Sequence, residues 1–271
     1  MKRNKKLPED SLDFQQNILC SNLSFAGSEA YKLLRTNILF SFSDDDQKCK
    51  VIGVTSSERG EGKSVTSVNL AYSLAQMGKT VLLLEADLRL PNVAKRINLK
   101  VEPGLSDLLV GRASGNDVLQ HVEKFKNFFV ISAGKVPPNP AELLGSRRME
   151  QCVAAFTDSF EYVIVDLPPI NIVSDALALT KLVSGYVFVV RQDFSTRQSV
   201  TEAIAKMHNV EAKLLGFVMT SVPAPGKSGR YSRSKYYSKN YRYSYGYGRR
   251  SRGEAKLAKG EETVVKPDLN V

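Results

Sequence analysis

Residues 50–78 constrain this chain more than any other stretch. KVIGVT is an apolar run of strand length, SSERGEGKS (Ser56–Ser64) is a glycine-containing turn, and SVTSVNLAYSLAQMG continues with helical character to Gly78. Strand, tight turn and helix in that order commit the chain to a βα unit. TVLLLE at 80–85 is apolar throughout, the pattern of a strand covered on both faces in a parallel sheet. The alternation continues through NFFVISA, a helix around ELLGSRRMEQCVAAF, EYVIVD, a helix around SDALALTKLV, YVFVV, a helix from Arg197 to Asn209, and LLGFVMT. Roughly seven strands separated by helices predict an α/β fold, a doubly wound, mostly parallel sheet with helices on both faces and ligands at the C-terminal strand ends.

Three regions are expected: an arm over 1–24, a globular domain over 25–222 that opens with a helix near 28–40 (EAYKLLRTNILF), and a polar tail over 223–271. With 42% hydrophobic residues the middle region can bury a sizeable core, whereas the tail is too polar to do so and is expected to be disordered. No apolar run approaches the roughly 20 residues of a spanning helix. The basic N-terminus, MKRNKKLPEDSLDF, leads into acidic and polar residues and so does not read as a secretory signal, which makes the cytoplasm the expected address. Cys20, Cys49 and Cys152 are widely spaced and read as reduced thiols; His121 and His208 are isolated.

The turn sits where a P-loop must sit, between the first strand and its helix. Ser57, Gly60, Glu61, Gly62, Lys63, Ser64 and Val65 are the candidate nucleotide-binding residues. Their amides face phosphates at a helix N-terminus, Lys63 reaches the outer phosphates, and the Ser64 hydroxyl holds Mg²⁺. Ser57 stands where the usual first glycine of G-x-x-x-x-G-K-[ST] would be. Two later strands end in acids. LLLEADLRLP carries Glu85 and Asp87 two positions apart, on one face if the segment stays extended, and VIVDLPP ends with Asp166. Lys63, Glu85, Asp87 and Asp166 are the candidate catalytic residues, with Ser64, Asp87 and Asp166 for the metal.

The net charge of +10 is concentrated. Residues 226–252 hold nine Lys or Arg and no acid, leaving the rest of the chain nearly neutral. Seven of the eleven tyrosines lie in that stretch: Tyr231, Tyr236, Tyr237, Tyr241, Tyr243, Tyr245 and Tyr247. With scarcely an aliphatic neighbour, these phenols are expected to be exposed acceptors. Basic residues interleaved with aromatics also suit single-stranded nucleic acid, but a phosphate-binding α/β domain offers no evident groove for a strand, and no nucleic-acid partner is expected. Each phosphate would add about −1.5 to −2, so roughly five would cancel the nine cations and weaken any contact with an anionic membrane face.

In its order SSERGEGKS, LLLEADLRLP, VIVDLPP, the chain resembles the bacterial tyrosine kinases of capsule and exopolysaccharide synthesis, where these are the Walker A, A′ and B motifs. The likeness extends to EAYKLLRTNI, GLSDLLVG and PNPAELLGS and covers residues 25–250. It is similar above all to the kinase subunit of Gram-positive systems. The resemblance implies a P-loop kinase that uses ATP and Mg²⁺ to phosphorylate the tyrosine cluster of a neighbouring subunit. It also implies a ring homo-oligomer built through Glu29, Tyr31 and Arg35, a separate membrane activator of the polysaccharide co-polymerase type that holds the kinase at the inner membrane face, and a tyrosine-phosphoprotein phosphatase. Glu85 replaces the family's usual Asp, so Asp87 and Glu85 both stand as acceptors of the phenolic proton, and TSV at 220–222 lacks the family's frequent adenine-reading asparagine. The rival is a positioning ATPase of the MinD/ParA type that binds membrane or DNA; such proteins commonly carry a second lysine early in the P-loop, where this chain has Glu58 and Arg59.

Overall fold

The computed structural model describes residues 23–42, 48–123, 125–222 and 266–269. Most of the expected arm, Cys20 and all seven clustered tyrosines lie outside the described residues. The chain divides into two units, one running to Thr220 and including Lys266–Val271, the other Ser221–Val265.

The first unit is built on seven strands: β1 (Lys50–Ser56), β2 (Val81–Glu85), β3 (Leu119–His121), β4 (Phe128–Ile131), β5 (Tyr162–Asp166), β6 (Gly185–Arg191) and β7 (Leu214–Thr220). They form one sheet in the order β3-β4-β2-β5-β1-β6-β7. Every pairing is parallel except β3 with β4. All residues of β1 and β2 are buried, which is why both read as unbroken apolar runs. The short antiparallel β3, LQH, has neither length nor periodicity and was not expected.

Helix α1 (Phe25–Ser41) packs Ile38 into the core, and Ser24 caps it by accepting from the Gly27 amide. After the P-loop comes α2 (Lys63–Ala75), which closes with tighter turns at Met77 and Gly78. Short helices α3 (Val93–Arg96), α4 (Leu105–Leu109) and α5 (Gly115–Val118) follow. The helix expected around 142–156 is two helices, α6 (Pro140–Leu144) and α7 (Arg147–Ser159), because Ser146 at the junction caps the second by accepting from the Met149 amide. Of the helix expected around 174–183, only α8 (Asp175–Ala178) forms before turns take over. The last helix, α9 (Arg197–Asn209), has the bounds its sequence predicts.

One face of the sheet packs Ile52, Val54, Leu83, Ile164 and Val187 against Val68, Ala71 and Leu74 of α2. On β1, Gly53 pairs with Tyr186 of β6, and a Cβ at Gly53 would lie 2.8 Å from the Tyr186 ring. That aromatic fills the space beside the strand, and its hydroxyl donates to the Ala176 carbonyl (2.8 Å).

Candidate active site

Strands β1, β2 and β5 are neighbours, with Val54 and Glu85 both in register with Asp166, so the P-loop and the acids emerge at one edge of the sheet. The loop turns back through Gly60 (φ 81°) and Gly62 (φ 98°), left-handed conformations that suit glycine. Gly62 stands at the N-cap of α2 without a side-chain cap, so the first amides of α2, including that of the half-buried Val65, keep the donors that bind anions. Lys63 and Ser57 are buried.

Ser64 Oγ donates to Asp166 Oδ2 (2.7 Å), and Ser67 Oγ donates to the other carboxylate oxygen (2.8 Å). Burial pushes the Asp166 carboxyl up to about 6, opposed by the charge of Lys63 and by both hydroxyls, while Glu85 adds to the rise. The group is therefore poised near neutrality and waits for positive charge.

Glu61 does something its sequence position did not disclose. Its buried carboxylate accepts from Ser57 Oγ (2.8 and 3.1 Å), from the Glu58 amide (2.7 Å) and from Ser195 Oγ. Thr220 Oγ1 donates to the Glu61 carbonyl (2.7 Å), and Arg191 Nη1 to the Gly60 carbonyl (3.0 Å). The P-loop is thus braced from beneath by its own glutamate and from the side by the ends of β6 and β7. Ser195, Thr220 and Arg191 carry no motif that marks them for this role; only the fold brings them here.

The acids that end β2 part company. Glu85 turns inward, and its oxygens accept from the amides of Asn92 (2.6 Å), Val93 (2.5 Å), Ala94 (3.4 Å) and Ala133 (3.2 Å). Its carboxylate is committed to backbone donors, most of them at the start of α3. Asp87, two residues beyond β2, is half-buried and accepts from the Leu90 amide (3.1 Å). Strand alternation does not carry from one to the other because β2 stops at Glu85. Two arginines stand near these acids. Arg89 grips the fully buried Asp175 with two bonds (2.8 and 3.0 Å), tying the loop after β2 to α8. Arg96 is half-buried; burial lowers its pKa, and the charges of Asp166 and Glu85 act against that fall.

On α1, Arg35 Nη1 donates to the Ser73 carbonyl of α2 (2.7 Å), the Tyr31 carbonyl accepts from Ser73 Oγ (3.5 Å), and Glu29 pairs with Lys32 at the surface (2.7 Å). Ser73 sits near the C-terminal end of α2, so Arg35 and Tyr31 lie away from the P-loop at the start of that helix.

Among the described residues no three His, Cys, Asp or Glu side chains converge as a protein-only metal cage. What the site offers is a hydroxyl and a buried carboxylate in contact. A few hard oxygen donors beside phosphate-binding amides fit Mg²⁺, which keeps waters and takes phosphate oxygens rather than demanding a cage.

Fold and loop together define a P-loop nucleotide-binding protein. A family model described as an AAA domain matches residues 49–215. The tyrosine-protein kinase YwqD of Bacillus subtilis is 38% identical over 192 residues, covering 71% of this chain and 80% of that protein. The tyrosine-protein kinase CpsD of Streptococcus agalactiae is 34% identical over 212 residues, covering 76% and 90%. The solved kinase domain of the Escherichia coli tyrosine kinase ETK superposes with a TM-score of 0.71 at 30% identity, covering 84% of this chain and 85% of that one. The chain belongs to the bacterial tyrosine-kinase family and is an enzyme of the protein-tyrosine kinase class. Among the described residues no helix is long and apolar enough to cross a membrane.

Proposed function

We propose that this chain transfers the γ-phosphoryl group of ATP to tyrosine hydroxyls in its own 231–247 cluster, one copy acting on the tail of the next. The observation that carries this reading is the contact of Ser64 with Asp166 directly behind the P-loop, with Lys63 buried beside them. The phenolic oxygen attacks the γ-phosphorus, the bond to the β–γ bridging oxygen breaks, ADP leaves, and the phenolic proton passes to a carboxylate. Asp87 is the better acceptor, since Glu85 is occupied by four backbone amides. Lys63 and the α2 amides hold the charge of the moving phosphoryl group, and Ser64 and Asp166 hold the metal. Mg²⁺ would neutralise phosphate charge there.

The same reading gives the chain a place in the control of capsular or exopolysaccharide synthesis, with a membrane activator that recruits it to the inner face of the cell membrane and a tyrosine-phosphoprotein phosphatase that resets it. Oligomerisation would run through α1, where Glu29 is at the surface. The tyrosine cluster and the absence of a second early P-loop lysine weigh against a positioning ATPase. Incubating purified protein with MgATP and the activator's cytoplasmic segment, then locating phosphate by mass spectrometry, tests the assignment. Phosphate is expected on the clustered tyrosines and lost in Lys63→Met. Labelling that persists in Lys63→Met protein overturns it.

A further inference from the structure

Past the tyrosine cluster, the chain returns to the body of the kinase. Leu269 is only 2% exposed. Its amide donates to Asn116 Oδ1 (3.1 Å), while Asn116 Nδ2 donates to Asp268 Oδ1 (2.7 Å), so both ends of one side-chain amide are used on two successive residues. The neighbouring Gly115 leaves the space that admits them. A Cβ there would lie 2.5 Å from Leu269 Cβ and 2.6 Å from its carbonyl oxygen. The receiving turn is stiffened by Asp117, whose carboxylate accepts from the Ser114 amide (2.9 Å) and hydroxyl (2.6 Å). A glycine that opens a seat, an asparagine that reads backbone and side chain, and a leucine that fills it make a specific docking site.

We propose that this seat beside α5 is a clasp for the segment Lys266–Leu269, and that closing it restrains how far the tyrosines reach toward a neighbouring copy. The second half rests on the reading that tyrosines are phosphorylated between copies. With Thr220 paired in β7 and Leu269 seated, Tyr247 lies 27 residues from one anchor and 22 from the other. A chain spans at most about 3.3–3.6 Å per residue, so two anchors confine Tyr247 to the overlap of two spheres, whereas a single anchor leaves the whole of the larger one open. The clasp thereby lowers the local concentration of the far tyrosines at a neighbour's site. One leucine and two hydrogen bonds oppose the entropy of closing a long loop, so the seat empties readily.

The test uses the full chain. Hydrogen exchange should find the Leu269 amide protected, and Leu269→Ser should speed its exchange about tenfold. In a mixing assay, wild-type enzyme phosphorylates a Lys63→Met acceptor that cannot label itself. Adding Leu269→Ser, or separately Gly115→Ala to block the seat from the other side, should raise the initial labelling rate of the acceptor at least about threefold. Unprotected Leu269 in the wild-type chain overturns the clasp. Protection that grows with protein concentration overturns it in favour of a second copy as occupant. Equal or slower labelling of both altered acceptors overturns the restraint. If no acceptor is labelled, phosphorylation between copies fails and takes the restraint with it, while exchange at Leu269 still decides the clasp independently.

Discussion

Ser64 and Asp166, 102 residues apart in sequence, meet through a 2.7 Å hydrogen bond at the foot of the P-loop. The contact exists because β1 and β5 are adjacent and Asp166, at the end of β5, is in register with Val54, two residues before β1 ends and the P-loop begins. Replacing Ser64 with alanine removes the proposed metal donor and one of the two hydroxyls that orient Asp166. The kinase's kcat/KM for ATP should fall about 10- to 100-fold. Its melting temperature should barely move, since Ser67 still holds the carboxylate (2.8 Å).

Asp166 also predicts a pH signature of the nucleotide-free protein. Burial, ahead of every neighbour, raises its pKa from 3.8 to about 6, so the fold prefers the neutral acid. Stability from this group is full below the unfolded value and is lost as pH rises to about 6. Asp166→Asn has no such loss. The stability of Asp166→Asn relative to wild type should therefore increase by on the order of 3 kcal/mol between pH 3.8 and pH 7, measured by denaturant unfolding. A difference flat across that window contradicts the assignment.

Glu61 should matter to the loop more than to the phosphates. Glu61→Gln keeps the shape but loses acceptor capacity beneath Ser57, Glu58 and Ser195, leaving a buried donor poorly matched. Destabilisation of about 1–3 kcal/mol is expected, together with weaker ATP binding by calorimetry. Ser195→Ala, which removes one donor, should produce a smaller effect in the same direction.

Gly104→Ala probes the loop that follows β4. A Cβ at Gly104 would lie 2.3 Å from the Gly134 amide nitrogen and 2.5 Å from the Ser132 carbonyl, both backbone atoms with little room to yield. About 3 kcal/mol of stability should be lost. Because Ala133 in the same loop donates to Glu85, nucleotide affinity should fall with it.

Cys49 and Cys152 are buried, and burial pushes their thiols up to about 12 and about 11. In a Cys20→Ser background, neither should react with maleimide at pH 8 until denaturant unfolds the domain. Rapid labelling of the native protein contradicts the burial of these two side chains.

Much of this molecule could be read from its residues in order. Apolar runs of strand length, interrupted by helical periodicity, determined a parallel sheet because strands covered on both faces admit no polar alternation, and β1, β2 and β5 are buried as such strands must be. The glycines and the lysine of SSERGEGKS announced a phosphate loop because their spacing is itself the chemistry. The sequence could not decide what each acid does. Glu85 and Asp87 look equivalent in order, yet one is consumed by backbone amides at the start of α3 while the other, beyond the end of β2, accepts from the Leu90 amide. Nor could it reveal that Glu61 braces the loop with Ser195, or that Leu269 returns to Gly115 and Asn116. Those partners lie 134 and about 150 residues away along the chain, and only packing brings them within hydrogen-bonding distance.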